Sequence, residues 1–160
     1  MKKFFTGLKQ KFLSKLLKLN TTSYAIAAGF ASGVAVSMTP FIGFHTLLAA
    51  LTALLLRASI PAAILGTLVG NPWTFILIWP LTYETGRLIL KKPHIENIDF
   101  ETVFENLKSA LFTENWHTAL SDAEEIILPM AVGSVVFYIA TFALSYIAIR
   151  HLLKNLGKKD

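Results

Sequence analysis

Between Ser23 and Leu90 the chain reads SYAIAAGFASGVAVSMTPFIGFHTLLAALTALLLRASIPAAILGTLVGNPWTFILIWPLTYETGRLIL, and the way this stretch divides decides the fold. It is too long for one membrane span and too often interrupted for tidy ones. Tyr24–Met38 has an apolar helical pattern that Thr39-Pro40-Phe41-Ile42-Gly43 breaks. The pattern resumes over Thr46–Leu56, stops at Arg57, resumes over Pro61–Gly70 and breaks again at Asn71-Pro72-Trp73-Thr74. Phe75–Leu90 completes it, with Pro80 inside. The piece Thr46–Leu56 has 11 residues, a rise of about 17 Å, half of a hydrocarbon core of roughly 30 Å.

The two halves, 24–57 and 58–90, are alike. Each has a polar–Pro–aromatic break near its middle, Thr39-Pro40-Phe41 and Asn71-Pro72-Trp73, and the breaks lie 32 residues apart. Each carries a small-residue step before its break, Gly29-x-x-x-Gly33 and Gly66-x-x-x-Gly70. This reads as a weak internal repeat. Proline removes a backbone donor and its ring clashes with the carbonyl one turn back. Backbone groups freed in this way cannot face lipid. A pair of short interrupted segments in matching halves therefore points to a polar site inside a membrane protein. Ordinary surface loops joining short tilted spans are the other reading, and both stay open. The glycine steps suit close helix packing, within the chain or between copies, so a homo-oligomer through the Gly29/Gly33 and Gly66/Gly70 faces is an expectation.

Composition agrees with a membrane class. Of the 160 residues 54% are hydrophobic and 16% charged, against about a quarter charged in soluble proteins. Disorder is excluded by the apolar content, and the absence of cysteine excludes disulfides and thiolate sites. Ile126–Ile149 is 24 residues without a formal charge, about 36 Å of helix, which predicts one C-terminal transmembrane helix with Pro129 in its first turn.

The charges are grouped. Lys2, Lys3, Lys9, Lys11, Lys15 and Lys18 fill the start, while Phe4, Phe5, Leu8, Phe12, Leu16 and Leu19 share one helical face. Residues 1–20 are predicted to form a basic amphipathic helix on an anionic leaflet. A cleaved signal peptide and a nucleic-acid contact fit less well, because no A-x-A site follows and the helix adjoins a membrane block. Residues 91–125 hold eight acids and three lysines. Within them Phe100, Val103, Phe104, Leu107 and Leu111 recur at helical spacing, which predicts an amphipathic surface helix. The end, 151–160, reads as a basic tail. The expected organisation is a surface helix, one all-α membrane domain over 21–150 with two broken, spanning or re-entrant, hairpin units, and the tail.

The candidate binding residues sit in or near the breaks. Thr39, His45, Asn71 and Thr74 offer hydrogen bonds, and Arg57 or Arg87 offers charge. Arg57 also opens the short turn before Pro61 and so marks an interfacial turn. Glu84 and Arg87, at i and i+3, either form a structural ion pair or present an oriented arginine. Pro40, Gly43, Gly70 and Pro72 are the breaking residues. His45 has no second ligand in sight, so no metal site is expected. No cofactor motif and no nucleophile–base set is present, so no enzymatic activity is expected.

The stretch Gly33-Val34-Ala35-Val36-Ser37-Met38-Thr39-Pro40-Phe41-Ile42-Gly43-Phe44-His45, with Gly66-Thr67-Leu68-Val69-Gly70-Asn71-Pro72-Trp73-Thr74, Tyr83 and Gly86, resembles the prokaryotic family catalogued as domain of unknown function 2062. The resemblance covers roughly residues 20 to 150 and implies a small, helical, multi-pass protein of the bacterial inner membrane. Some relatives are fused to a family-two glycosyltransferase of the kind that uses polyprenyl-phosphate sugars, which implies work near lipid-linked glycans. The expected function is to bind or move an anionic or polyprenyl-phosphate headgroup at the paired breaks, with membrane lipids as partners and no nucleic acid. The alternative is a structural or docking protein that supports a glycosyltransferase or another envelope enzyme.

Overall fold

The computed structural model describes residues 21–41, 43–93 and 123–157. The N-terminal helix expected over 1–20, most of the polar segment 91–125 with its surface helix, and residues 158–160 lie outside the described residues. Among the described residues the chain is all-helical: α1 Ser23–Val36, α2 His45–Leu55, α3 Ile60–Thr67, α4 Pro72–Leu90 and α5 Leu128–Asn155, the last led in by a π-helical turn at Ala123–Ile127.

Local chemistry places the ends. The Thr22 hydroxyl accepts the Ala25 N–H at 3.1 Å and starts α1, and the Ser59 hydroxyl does the same for the Ala62 N–H at 3.4 Å in α3. Pro61 sits in the first turn of α3, where its missing donor costs little. The α2 helix ends with Arg57 in the left-handed region at φ 52°. Arg57 N–H then reaches Leu54 O at 3.0 Å, and Ala58 N–H reaches Ala53 O at 2.7 Å. The α4 helix ends the same way, with Lys91 at φ 54° and Lys92 N–H on Arg87 O at 2.9 Å. Glycine usually fills such a position; here both halves of the repeat close on a cation.

Two boundaries differ from the sequence reading. Pro72 opens α4 rather than interrupting the chain, and the second break is confined to 68–71. A proline at the first helical position has no bond to lose, while it pushes the residue before it out of helical conformation. The C-terminal helix runs on to Asn155, past Ile149, where the charge-free stretch ends. A charge limits how deep a helix is buried in an apolar medium, not how far its backbone ladder extends.

The chain divides into two compact units, which share α5. In the first, α1 is the centre. Its residues from Ala25 to Val36 are all buried, and they are small or β-branched apart from Phe30. Ile26, Ala27, Phe30 and Val34 pack on Ala62 of α3 and on Ile149 and Leu153 of α5, while Val36 packs with Ala49 and Ala53 of α2 and Ala63 of α3. In the second unit, α4 meets the start of α5. Tyr83 packs with Ile126 and Met130, and Lys92 Nζ donates to the Glu124 carbonyl at 2.6 Å.

In both units many large apolar side chains lie outside, and in the first unit most of the buried residues are small. Leu47, Leu51 and Leu55 on α2, Trp73 and Leu77 on α4, and Leu144 on α5 are exposed. The buried set is led by alanines, with Ser32, Ser37, Thr82 and Ser134 among them. The helical run Glu124–Asn155 is long and apolar enough to cross a membrane, and only 28% of its most apolar window is buried. Counted as one broken helix, α3 and α4 form a second candidate span.

Candidate functional site

The repeat becomes a physical object in the first unit. The Ser59 N–H donates to Ala25 O at 2.8 Å. A Cβ added to Gly29 would lie 3.2 Å from Ala62 Cβ, and one added to Gly33 would lie 2.8 Å from Gly66 Cα. Partners rise in number together along both helices, so α1 and α3, the first arms of the two halves, run parallel. Gly33 and Gly66 let the backbones touch: a Cβ on Gly33 would strike the Ala63 carbonyl oxygen, and one on Gly66 the Phe30 carbonyl oxygen. Gly29, Gly33 and Gly66 thus meet partners within the chain.

Parallel arms end at the same side. Ser37, the last turn of α1, is fully buried, and its Oγ lies 3.0 Å from Gly33 O and 3.4 Å from Thr67 O. One hydroxyl thus ties the entrances of the two breaks together. From there α2 runs back toward the start of α1, where the Tyr24 hydroxyl donates to Leu56 O at 3.0 Å. The N-terminus of α2 therefore belongs to the break end. Gly43, at φ 85°, makes the turn into it, and Phe44 brings no side-chain acceptor to its first N–H groups. A helix start carries the positive end of the helix dipole.

The expected residues fall in different places. His45 begins α2 at the break end and is half-buried. Thr39 and Pro40 lie in the first break, and Thr74 in the first turn of α4. Asn71 Nδ2 donates to Val69 O at 3.3 Å, inside its own break, and Gly70 N–H bonds Thr67 O at 3.0 Å. Arg57 lies at the other end of α2 from His45, about 18 Å along the axis at ~1.5 Å per residue, and is exposed. Arg87 is similarly about 22 Å along α4 from Pro72. It donates through Nε to Glu84 Oε2 at 2.8 Å, so the i, i+3 pair forms on one helix face. Neither arginine stands at a helix break.

Sequence reasoning missed Ser37. A signal was present, since Gly29, Gly33 and Ser37 recur every fourth residue and form one stripe of small side chains down α1. Around this end the side chains are hydroxyl, amide and imidazole, and the described residues of the first unit include no carboxylate. Among the described residues no three of His, Asp and Glu come together as metal ligands would.

A sequence model described as an uncharacterized protein conserved in bacteria, DUF2062, matches residues 8–160. No curated protein and no solved structure matches the chain.

Proposed function

The chain belongs to the DUF2062 family, conserved in bacteria, and from that premise we propose an integral protein of the bacterial inner membrane that holds an anionic lipid headgroup at its break end. Membrane embedding is supported by the inverted packing. Without a hydrophobic force between helices in lipid, small residues bring helices together and large apolar ones face outward. A core helix of a soluble protein would be mostly covered, whereas the apolar window of α5 is 28% buried.

The observation that carries the headgroup reading is the parallel crossing of α1 and α3, which starts both breaks side by side at Ser37 and Thr67. The same end receives the start of α2 and His45, and no carboxylate among the described residues of this unit opposes a negative charge there. Half-helix starts near the middle of a membrane protein are suited to anionic groups. The charge is therefore supplied by the helix start and His45, not by Arg57 or Arg87. A polyprenyl phosphate has the required chemistry, a monoanionic or dianionic head on an apolar chain.

Binding of a polyprenyl phosphate and of the uncharged polyprenol to the full chain in lipid nanodiscs tests this. The phosphate should bind at least tenfold tighter, about 1.4 kcal/mol. His45→Ala and Ser37→Ala should each remove most of that margin, and Arg57→Gln should leave it. Equal binding of the two lipids, or an unchanged margin in His45→Ala, would overturn the reading. A docking role beside an envelope enzyme such as a glycosyltransferase is the second reading. It is supported by the Glu84–Arg87 pair, which engages the arginine of α4 with a carboxylate.

A further inference from the structure

Within the second unit the start of α5 has a backbone problem set by its sequence. Pro129 has no N–H, so one carbonyl ahead of it loses its helical donor. In an α register that carbonyl belongs to Glu125, four residues back, and in a π register to Glu124, five residues back. The turn Ala123–Ile127 is π-helical, which moves the loss to Glu124. There the Glu124 carbonyl accepts Lys92 Nζ at 2.6 Å. Lys92 comes from the end of α4, where its own N–H is fixed on Arg87 O at 2.9 Å. The two helices are held side by side, since a Cβ on Gly86 would strike the Pro129 carbonyl oxygen. Ile126, inside the π turn, is 8% exposed and packs with Tyr83 and Met130.

We propose that Lys92 is a latch that selects the register of this turn, and that the start of α5 is a two-state device. With the ammonium on the Glu124 carbonyl, the wide turn stands and Ile126 is covered. With the ammonium away, the turn closes to the α register and the Leu128 N–H serves Glu124. The carbonyl that then lacks a helical donor is that of Glu125, an exposed residue where water can serve it. A hydrogen bond from an ammonium is stronger than one from a neutral donor, so the latch favours the π state. A π turn holds one residue more than an α turn, so closing it turns the residues ahead of α5 by up to about 100° and takes Ile126 off Tyr83. π turns inserted into α-helices are frequent at functional sites. This device lies within the second unit and is independent of the headgroup site at the breaks.

The chain has no cysteine, so Ile126→Cys supplies a single reporter thiol. Its rate of maleimide labelling, in the full chain in detergent, reads how well position 126 is covered. Adding Lys92→Met should raise that rate about tenfold, the loss of one charged hydrogen bond. Lys92→Arg, which still donates to a carbonyl, should keep the rate low. Pro129→Ala restores the missing N–H, so in that background Lys92→Met should change the rate by less than about twofold, because the two changes act on one carbonyl. An unchanged rate in Lys92→Met, a high rate in Lys92→Arg, or an equal effect of Lys92→Met in both backgrounds overturns the proposal. Should Ile126→Cys or Pro129→Ala fail to fold, hydrogen exchange of the amides over 124–130 takes their place. Lys92→Met alone should then speed exchange about tenfold, and unchanged exchange overturns the proposal.

Discussion

The two units use the same device with opposite polarity. In the first, Gly33 of α1 lies on Gly66 of α3 and the helices run parallel. In the second, Gly86 of α4 lies beside Pro129 and Gly133 of α5, and Gly133 beside the Thr82 carbonyl, so partners fall in number as α4 rises and the helices run antiparallel. A parallel crossing brings like ends together: both caps at one side, both breaks at the other. An antiparallel crossing pairs unlike ends and gathers no matched pair of breaks. The charge differs too, since the second unit contains the Glu84–Arg87 pair and the Lys92–Glu124 contact, while the first contains no acid among its described residues. Glycine contact alone therefore builds compactness, and direction decides whether it also builds a polar site.

Substituting the glycines puts most strain on this comparison. Gly33→Leu and Gly133→Leu should each cost about 3 kcal/mol or more, since backbone rather than a movable side chain fills the space. Unfolding of the full chain in detergent measures it, and a neutral result at either position would remove that crossing. The alanine variants sharpen the point. Gly33→Ala should weaken polyprenyl phosphate binding in chains that remain folded, whereas Gly133→Ala should lower stability alone. Gly33→Ala and Gly66→Ala share a contact and should combine to less than their sum, while Gly33→Ala and Gly133→Ala share none and should add within about 0.5 kcal/mol.

Smaller effects separate the ends of the repeat. Ser37→Ala removes the hydroxyl between the two breaks and should cost about 1 kcal/mol. Asn71→Leu, whose amide serves its own break, should cost a similar amount or less. Arg57→Gly and Lys91→Gly should each stabilise the fold, by up to about 1 kcal/mol, because the left-handed position strains a side chain. Opposite signs at the two sites would show that the matched helix ends are not equivalent.

Much of the helical layout was legible in the sequence, because breakers and caps act locally. Gly43, Arg57 and Pro61 divide α1, α2 and α3 within a residue or two of the pattern in the letters. Pro72 was harder, since proline both ends one segment and starts the next, and the letters do not say which. The Gly29-x-x-x-Gly33 step announced a close contact but not its partner, which depends on how the chain returns. Gly86 stood out only through the family resemblance, and Gly133, far from it in sequence and without a spaced companion, gave no signal of their contact. The candidate site was read only in part. The polar residues around the breaks were found by type, but Arg57 and Arg87 were grouped with them because charge in an apolar run attracts suspicion wherever it lies. Helix length, at ~1.5 Å per residue, then separates them from the breaks.

The burial of α1 sets an order of assembly. It precedes α5 in the chain, yet Ile26 is covered by Ile149 and Leu153 of α5. With 14 residues, about 21 Å long, it is too short to cross a hydrocarbon core by itself. Until α5 has been made, the Ile26 face of α1 has only a half-built shelter. The newborn chain therefore depends on α5 to lock α1, and a product that stops short of α5 would carry a bare centre into cellular quality control.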